Sequence, residues 1–255
     1  MRNPFRAAML KLVSTNVLRG FALAFALLSG SFVPSSLIHA DEARYETRAT
    51  HDPDGLGKFY LGREIAHVMG PGGIIWLERA EREREERPQL VLDALQIQPG
   101  QTVVDLGCGS GYYAFRMSKL VGPNGKVFAV DIEERMLQFV RQRAQREAIT
   151  NITPIRSTAS DPNLPPESVD LLLMVDVYHE LEFPFEVMRK VREALKPGGR
   201  VALVEYRAED PKVMIKEVHK MTQKQIIKEM KAVGLRHSKT ITTLPLQHLA
   251  IFEKA

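Results

Sequence analysis

Three glycines at alternate positions, in the run Val103-Val-Asp-Leu-Gly-Cys-Gly-Ser-Gly111, stand between an apolar pentad and a helical pattern that opens at Tyr112. Glycine carries no Cβ, so this bend lets a ligand approach the peptide groups, while the N-terminus of the helix behind it favours an anion. At the end of the next apolar run, 20 residues past Gly111, stands Asp131. A carboxylate there can accept hydrogen bonds from two ribose hydroxyls. The pair predicts a nucleoside-bearing ligand. A dinucleotide wants its third glycine one place later, where Tyr112 would obstruct a pyrophosphate, and no Gly-Lys-Ser/Thr ending follows for a nucleoside triphosphate. The second reactive cluster is Asp176-Val-Tyr-His-Glu180, in which His179 is a candidate general base, imidazole being the side chain suited to base work near neutrality. That His179 only ties its loop to a helix stays open as the alternative. Tyr178 and Glu205 are further catalytic candidates, and Glu205, Tyr206 and Arg207 are placed to orient a substrate. His219-Lys220 and His248 show no metal-ligand spacing, so no metal is predicted.

Those groups need a scaffold that brings strand ends to one edge. Thr102 to Leu106, Lys126 to Asp131, Ile152 to Arg156, Val169 to Val175 and Arg200 to Glu205 read as strands. Leu90 to Leu95, Tyr112 to Val121, Glu133 to Ala148, Phe185 to Leu195 and a segment capped by Thr222 and running to Val233 read as helices. The run VDLLLMV is continuously apolar after Asp170, as in a strand covered on both faces of a parallel sheet. Lys196-Pro-Gly-Gly199 reads as a helix stop, and Ser238 to Thr243 with His248 to Glu253 as a closing antiparallel hairpin. The alternation implies an α/β fold with a doubly wound, mostly parallel sheet, helices on both faces and the ligand at the carboxyl edge.

Residues 41–88 form a helical and Gly-rich preamble in this reading. Glu78 to Arg87 places Glu78 four before Arg82 and Glu83 four before Arg87, the spacing of an exposed, solvated helix. Glycines at 55, 57, 62, 70, 72 and 73 provide hinges with which Tyr60, Arg63, His67 and Trp76 could close as a lid, ordinary packing being the alternative for each. Four of the 35 basic residues (Arg2, Arg6, Lys11 and Arg19) lie in the first forty and account for the whole net charge of +4, leaving 31 against 31 acidic residues elsewhere. A nucleic-acid surface is therefore not expected, since a phosphate-tracking groove needs a clustered surplus of cations. Those four charges flank the apolar run FALAFALL, too short to span a bilayer, so residues 1–40 read as a signal peptide cleaved after Ala40. Export to the periplasm or medium follows, with an uncleaved membrane anchor as the alternative. The lone Cys108 excludes an intramolecular disulfide and cysteine-built metal clusters.

In order along the chain, VVDLGCGSGYYA, VFAVDIEERML, SVDLLLMVDVYHEL and ALKPGGRVALVEY resemble the motif set of class I S-adenosylmethionine-dependent methyltransferases, over residues 89–255. The preamble HDPDG-GKFY-GREIAHVMG is similar to that of a group of exported bacterial methyltransferases. The resemblance implies a Rossmann-like seven-stranded sheet and S-adenosylmethionine as cofactor. It places Asp105 against the methionine ammonium and Gly107, Gly109 and Gly111 against the methionine part, with Cys108 and Ser110 in the same loop. Asp131 would hold the ribose and Ile132 pack on adenine. Asp161 would meet the adenine amino group from one place off the usual spacing, and Asp176 and Val177 would line cofactor and methyl group. Capping of local turns is the alternative for Asp105 and Asp161. His179 falls where many small-molecule methyltransferases carry a Leu-His-His pattern. The function implied is methyl transfer to a small-molecule or lipid-like acceptor, an in-line displacement that asks chiefly for positioning in a dry pocket. A non-catalytic binder of S-adenosylmethionine or S-adenosylhomocysteine, and a protein-repair (isoaspartyl-type) methyltransferase suggested by GSGYYA, are the alternatives.

Overall fold

A computed structural model describes residues 44–254, so the leader expected over residues 1–40 lies outside the described residues. No helix among the described residues is long and apolar enough to cross a membrane. The described chain opens with a three-stranded antiparallel sheet of β1 (Tyr45–Thr47), β2 (Gly55–Tyr60) and β3 (Arg63–Ala66). Three short helices follow: α1 (Ile74–Leu77), α2 (Arg82–Glu85) and α3 (Pro88–Leu95).

From there strands and helices alternate. Strands β4 (Thr102–Leu106), β5 (Lys126–Asp131), β6 (Ile152–Arg156), β7 (Val169–Val175) and β8 (Leu195–Tyr206) are separated by α4 (Tyr112–Val121), α5 (Glu134–Arg146) and α6 (Pro184–Ala194). Helix α7 (Gln223–Ala232) and strands β9 (Leu235–Ile241) and β10 (Gln247–Lys254) close the chain. The seven-stranded sheet runs β6-β5-β4-β7-β8-β10-β9. Every pairing from β6 to β8 is parallel, whereas β10 runs antiparallel to both β8 and β9.

The period-two alternation of side chains divides the sheet into two cores. Val103, Leu171, Leu173 and Val204 face one way, against Val91 and Leu95 of α3, Phe115 of α4 and Leu137 of α5. Val104, Leu172, Met174 and Leu203 face the other, against Val187 and Val191 of α6 and Ile226 and Met230 of α7. This double cover explains why β7 is apolar from Leu171 to Val175 without interruption. Thr222 caps α7 as expected, its side chain accepting the Gln225 N–H at 3.1 Å.

Two local readings are corrected. The expected helix over residues 78–87 shrinks to α2, and neither expected pair forms: Arg82 instead holds Glu86 at 2.7 Å and stacks over the Tyr112 ring at 4.2 Å. Both members of that pair are buried, because the segment packs on α4 rather than facing solvent. The run Lys196–Gly199 ends α6 but is already strand, with a register shift opposite Val169 and Leu171 absorbing the turn.

Candidate active site

The carboxyl ends of β4, β5, β7 and β8 open into a cavity of about 650 Å³, with Gly107 and Gly109 on one side and His179, Glu180 and Tyr206 on another. The glycine bend follows β4 directly. Gly107 and Gly109 hold φ of +73° and +51°, in the left-handed region that side chains disfavour. A Cβ at Gly107 would stand 2.5 Å from the Val177 methyls, and one at Gly109 would stand 2.6 Å from Leu77 Cδ1. Gly107 is thus closed to a side chain by the β-branched Val177, and at Gly109 the left-handed backbone is the obstacle, with Leu77 of α1 lying on the bend.

Asp131, at the end of β5, is adjacent. Its Oδ2 accepts the Gly109 N–H at 2.8 Å and its Oδ1 the Glu133 N–H at 2.9 Å. The Gly107 N–H in turn donates to the Val130 carbonyl at 2.8 Å. Burial raises the Asp131 carboxyl above its ordinary range while these N–H donors oppose the rise. Bend, carboxylate and the exposed side chain of Ile132 form one wall of the cavity. Ser157, Thr158 and Ala159, after β6, continue it.

Opposite lies the loop after β7. Asp176 adopts φ +54° and lines the cavity with Val177. Its Oδ2 accepts from Gln247 Nε2 at 2.6 Å, while its Oδ1 is buried without a partner. Burial and the charges of Glu86 and Glu205 push the Asp176 carboxyl well up. His179 Nδ1 meets Glu205 Oε2 at 2.6 Å, and Glu205 Oε1 accepts the Tyr178 N–H at 2.9 Å. A carboxylate only accepts, so it fixes the proton on Nδ1 and leaves Nε2 for other partners. Nε2 lies 3.1 Å from His219 Nδ1 and 3.8 Å from Glu180 Oε1. Burial brings His219 down to about 4 and Glu180 up to about 7, with His179 adding to the first and opposing the second.

Several expected site residues stand elsewhere. Asp105 does not line this cavity. Its carboxylate sits beneath the bend, accepts the Ala114 N–H at 2.8 Å near the start of α4, and with Cys108 and Ser110 faces a separate recess of about 20 Å³. Burial lifts Asp105 to about 7 and the Cys108 thiol well up. Gly111 is the N-cap of α4 and lines neither space. Asp161 closes its own turn by accepting the Asn163 N–H at 2.8 Å and is absent from the cavity wall. Tyr178 is buried, and its hydroxyl donates to Glu229 Oε2 at 2.8 Å. It belongs to the scaffold and not to the wall. Arg207 is spent on the carbonyls of Leu244 and Gln247. Of the proposed lid residues, His67 and Trp76 reach the cavity, whereas Arg63 is bound to Glu229 and Tyr60 is buried.

Glu86 and Met214 were not singled out in the sequence, Glu180 was given no role within its cluster and His219 was set aside for want of a ligand spacing, yet all four stand on the wall. Glu180 adjoins His179 and was open to view. His219 is 40 positions from His179, so no spacing signals it. Glu86 sits in a run of alternating charges whose pattern is that of a solvated face.

An adenosine-bearing ligand fits the cavity: the Asp131 carboxyl and the exposed Ile132 side chain stand beside the backbone bend on one wall, and Asp176 Oδ1 on the other has no partner among the described residues. Comparison with known proteins agrees. A family model described as a methyltransferase domain matches residues 97–244, more than half of the chain. The demethylmenaquinone methyltransferase of Lactococcus lactis is 32% identical over 106 residues, 42% of this chain and 42% of that protein. That of Geobacillus kaustophilus is 25% identical over 140 residues, covering 55% and 58% respectively. The matches therefore span about half the length of these relatives. A crystal structure of an S-adenosylmethionine-dependent methyltransferase from Aquifex aeolicus shares the fold, with a TM-score of 0.70 at 23% identity over 74% of this chain and all of that one.

Proposed function

The chain belongs to the methyltransferase-domain family, and from that membership we propose that it transfers a methyl group from S-adenosylmethionine to a small, partly apolar acceptor held in the cavity. One observation carries the reading: the glycine bend and Asp131 face the same cavity as His179 on the opposite wall, so cofactor and acceptor sites open into the same space. When bound, the cofactor supplies an electrophilic methyl group. Asp131 would accept from the ribose hydroxyls, Ile132 would pack on adenine, and Asp176 Oδ1 would take up a hydrogen-bond partner that nothing among the described residues provides. His179, its Nδ1 held by Glu205, lines the acceptor's side of the cavity. Met69, Trp76 and Leu77 add apolar surface to the lining, on which the carbon skeleton of an acceptor can rest. A quinol-like acceptor is compatible with this lining, and it is the class implied by the names of the sequence relatives.

Calorimetric titration with S-adenosylmethionine tests the first half. The native chain should bind one equivalent, and Asp131→Ala should weaken binding about 10- to 100-fold, the worth of a hydrogen bond to a charged group. Unchanged affinity in Asp131→Ala would remove the ribose assignment. Transfer of a labelled methyl group to a small-molecule and lipid extract tests the second half, and binding without transfer would leave a cofactor-binding protein.

A further inference from the structure

Three side chains on the wall away from the glycine bend converge on one point. His179 Nε2, His219 Nδ1 and Glu180 Oε1 are separated by 3.1, 3.8 and 3.7 Å. The circle through three atoms so spaced has a radius of about 2.1 Å, and zinc bonds to imidazole nitrogen and carboxylate oxygen measure about 2.0–2.2 Å. We propose that His179, His219 and Glu180 bind a divalent transition metal, zinc foremost, whose remaining positions open into the cavity.

The support behind these ligands points the same way. Ligating histidines donate their second N–H to a carboxylate or carbonyl, which fixes tautomer and ring orientation. His179 Nδ1 does so to the fully buried Glu205 at 2.6 Å. Glu180 is held from behind by the Met69 N–H, which reaches its Oε2 at 3.3 Å and leaves Oε1 turned toward the histidines. Charge agrees as well. Glu180 and Glu205 both stand against imidazoles, and the two lysines flanking the His219 turn are engaged elsewhere, Lys216 by Asp54 and Lys220 by Glu217. A divalent ion supplies the missing positive charge. Three protein ligands leave at least one position open, the arrangement of catalytic rather than structural metal sites, and two histidines with one carboxylate suit zinc and also ferrous iron.

The consequence for the acceptor rests on the methyl-transfer reading, whereas the metal site does not. An alcohol, phenol or enol oxygen coordinated at the open position loses its proton to solvent, because a bound divalent ion lowers the pKa of its oxygen ligand. That oxygen's lone pair then forms the bond to the methyl carbon while the sulfur–carbon bond breaks and its electron pair stays on sulfur. The acceptor class is therefore a molecule presenting a hydroxyl oxygen.

The test uses the untagged chain, freed of metal by chelation and titrated with Zn²⁺ by calorimetry and with Co²⁺ by visible absorption. One equivalent of Zn²⁺ should bind, and Co²⁺ should give the intense visible bands of a four- or five-coordinate site. His219→Ala and Glu180→Gln should each weaken Zn²⁺ binding at least 100-fold, and Glu205→Gln, acting through His179, about 10- to 100-fold. His219 lies on a surface turn; circular dichroism checks that its variants are folded, with His219→Asn as the second variant. No saturable binding by the native chain, or unchanged Zn²⁺ affinity in folded His219→Ala and His219→Asn, would overturn the proposal. S-adenosylhomocysteine affinity, measured on the same variants, should stay within twofold of the native value. Failure of the native chain to bind that ligand while Zn²⁺ still binds would overturn the consequence for the acceptor and leave the metal site standing.

Discussion

The hydroxyl of Tyr178 donates to Glu229, a carboxylate that also binds Arg63 through both of its oxygens and accepts from Gln225. Tyr178 therefore holds the loop that carries His179, at one remove from any reacting atom. Tyr178→Phe should lower unfolding stability by about 1–3 kcal/mol, the worth of a buried hydrogen bond to a charged group, with turnover per folded molecule unchanged. Urea denaturation alongside the transfer assay checks this, and a tenfold fall in turnover at unchanged stability would restore a catalytic role. The neighbours Tyr178 and His179 show what a sequence reveals of a single side chain. Both types carry chemistry, and only the backbone conformation after β7 decides that one ring is buried against α7 while the other meets the cavity. Gly107, Gly109 and Asp131 were legible because local constraint sets their roles: a bend with no space for Cβ and a carboxylate at the end of the next strand. His219 was not, because its partner comes from a different loop.

The three-stranded sheet of β1, β2 and β3 is fastened to the main body by the Arg63–Glu229 pair, with N···O distances of 2.9 and 3.0 Å and side-chain exposures of 9% and 0%. Arg63 also donates to the His179 carbonyl at 3.1 Å, so one guanidinium joins β3, α7 and the site loop. Removing one partner strands the other charge in the interior, and Arg63→Ala should cost about 3–5 kcal/mol. Denaturant unfolding checks the loss, and a loss below about 1 kcal/mol would mean that the small sheet is held by packing alone. The strands from β4 to β7 were read to the residue because each is a short apolar run between turn signals. The small sheet went unread for the opposite reason. Its residues are mixed in polarity, half of β2 is glycine or charge, and its flanks meet α6 and α7 through Arg44–Glu186 and Lys228 to the Leu61 carbonyl, contacts that no local pattern encodes. The charged segment over residues 78–87 misled in the same way, since its outward-looking alternation hides the burial of Arg82 and Glu86 against Tyr112 and Tyr206.

Burial of so many acids around one sheet edge makes the stability of the molecule depend on pH. Asp105 is lifted from 3.8 to about 7 by burial, opposed by the Ala114 N–H and the Arg82 charge. The folded protein therefore prefers the neutral acid, and between those values it binds more protons than the unfolded chain. Its stabilising contribution is full below about pH 4 and is lost as pH rises through about 7. Asp105→Asn keeps an oxygen for the Ala114 N–H and removes the titration, so its melting temperature should fall less between pH 5 and 8 than that of the native chain. Thermal unfolding at both pH values checks this, and equal slopes would show that the carboxyl is ionised throughout. The reversed strand β10 has a use of its own. It pairs with β8 so that His248 stands opposite Glu205 and Glu253 opposite Arg200, which carries the described chain away from the cavity to the far rim of the sheet. A tether or fluorescent reporter joined beyond Lys254 would project from that far rim, so the protein can be immobilised on a sensor surface with its mouth facing the flowing solution.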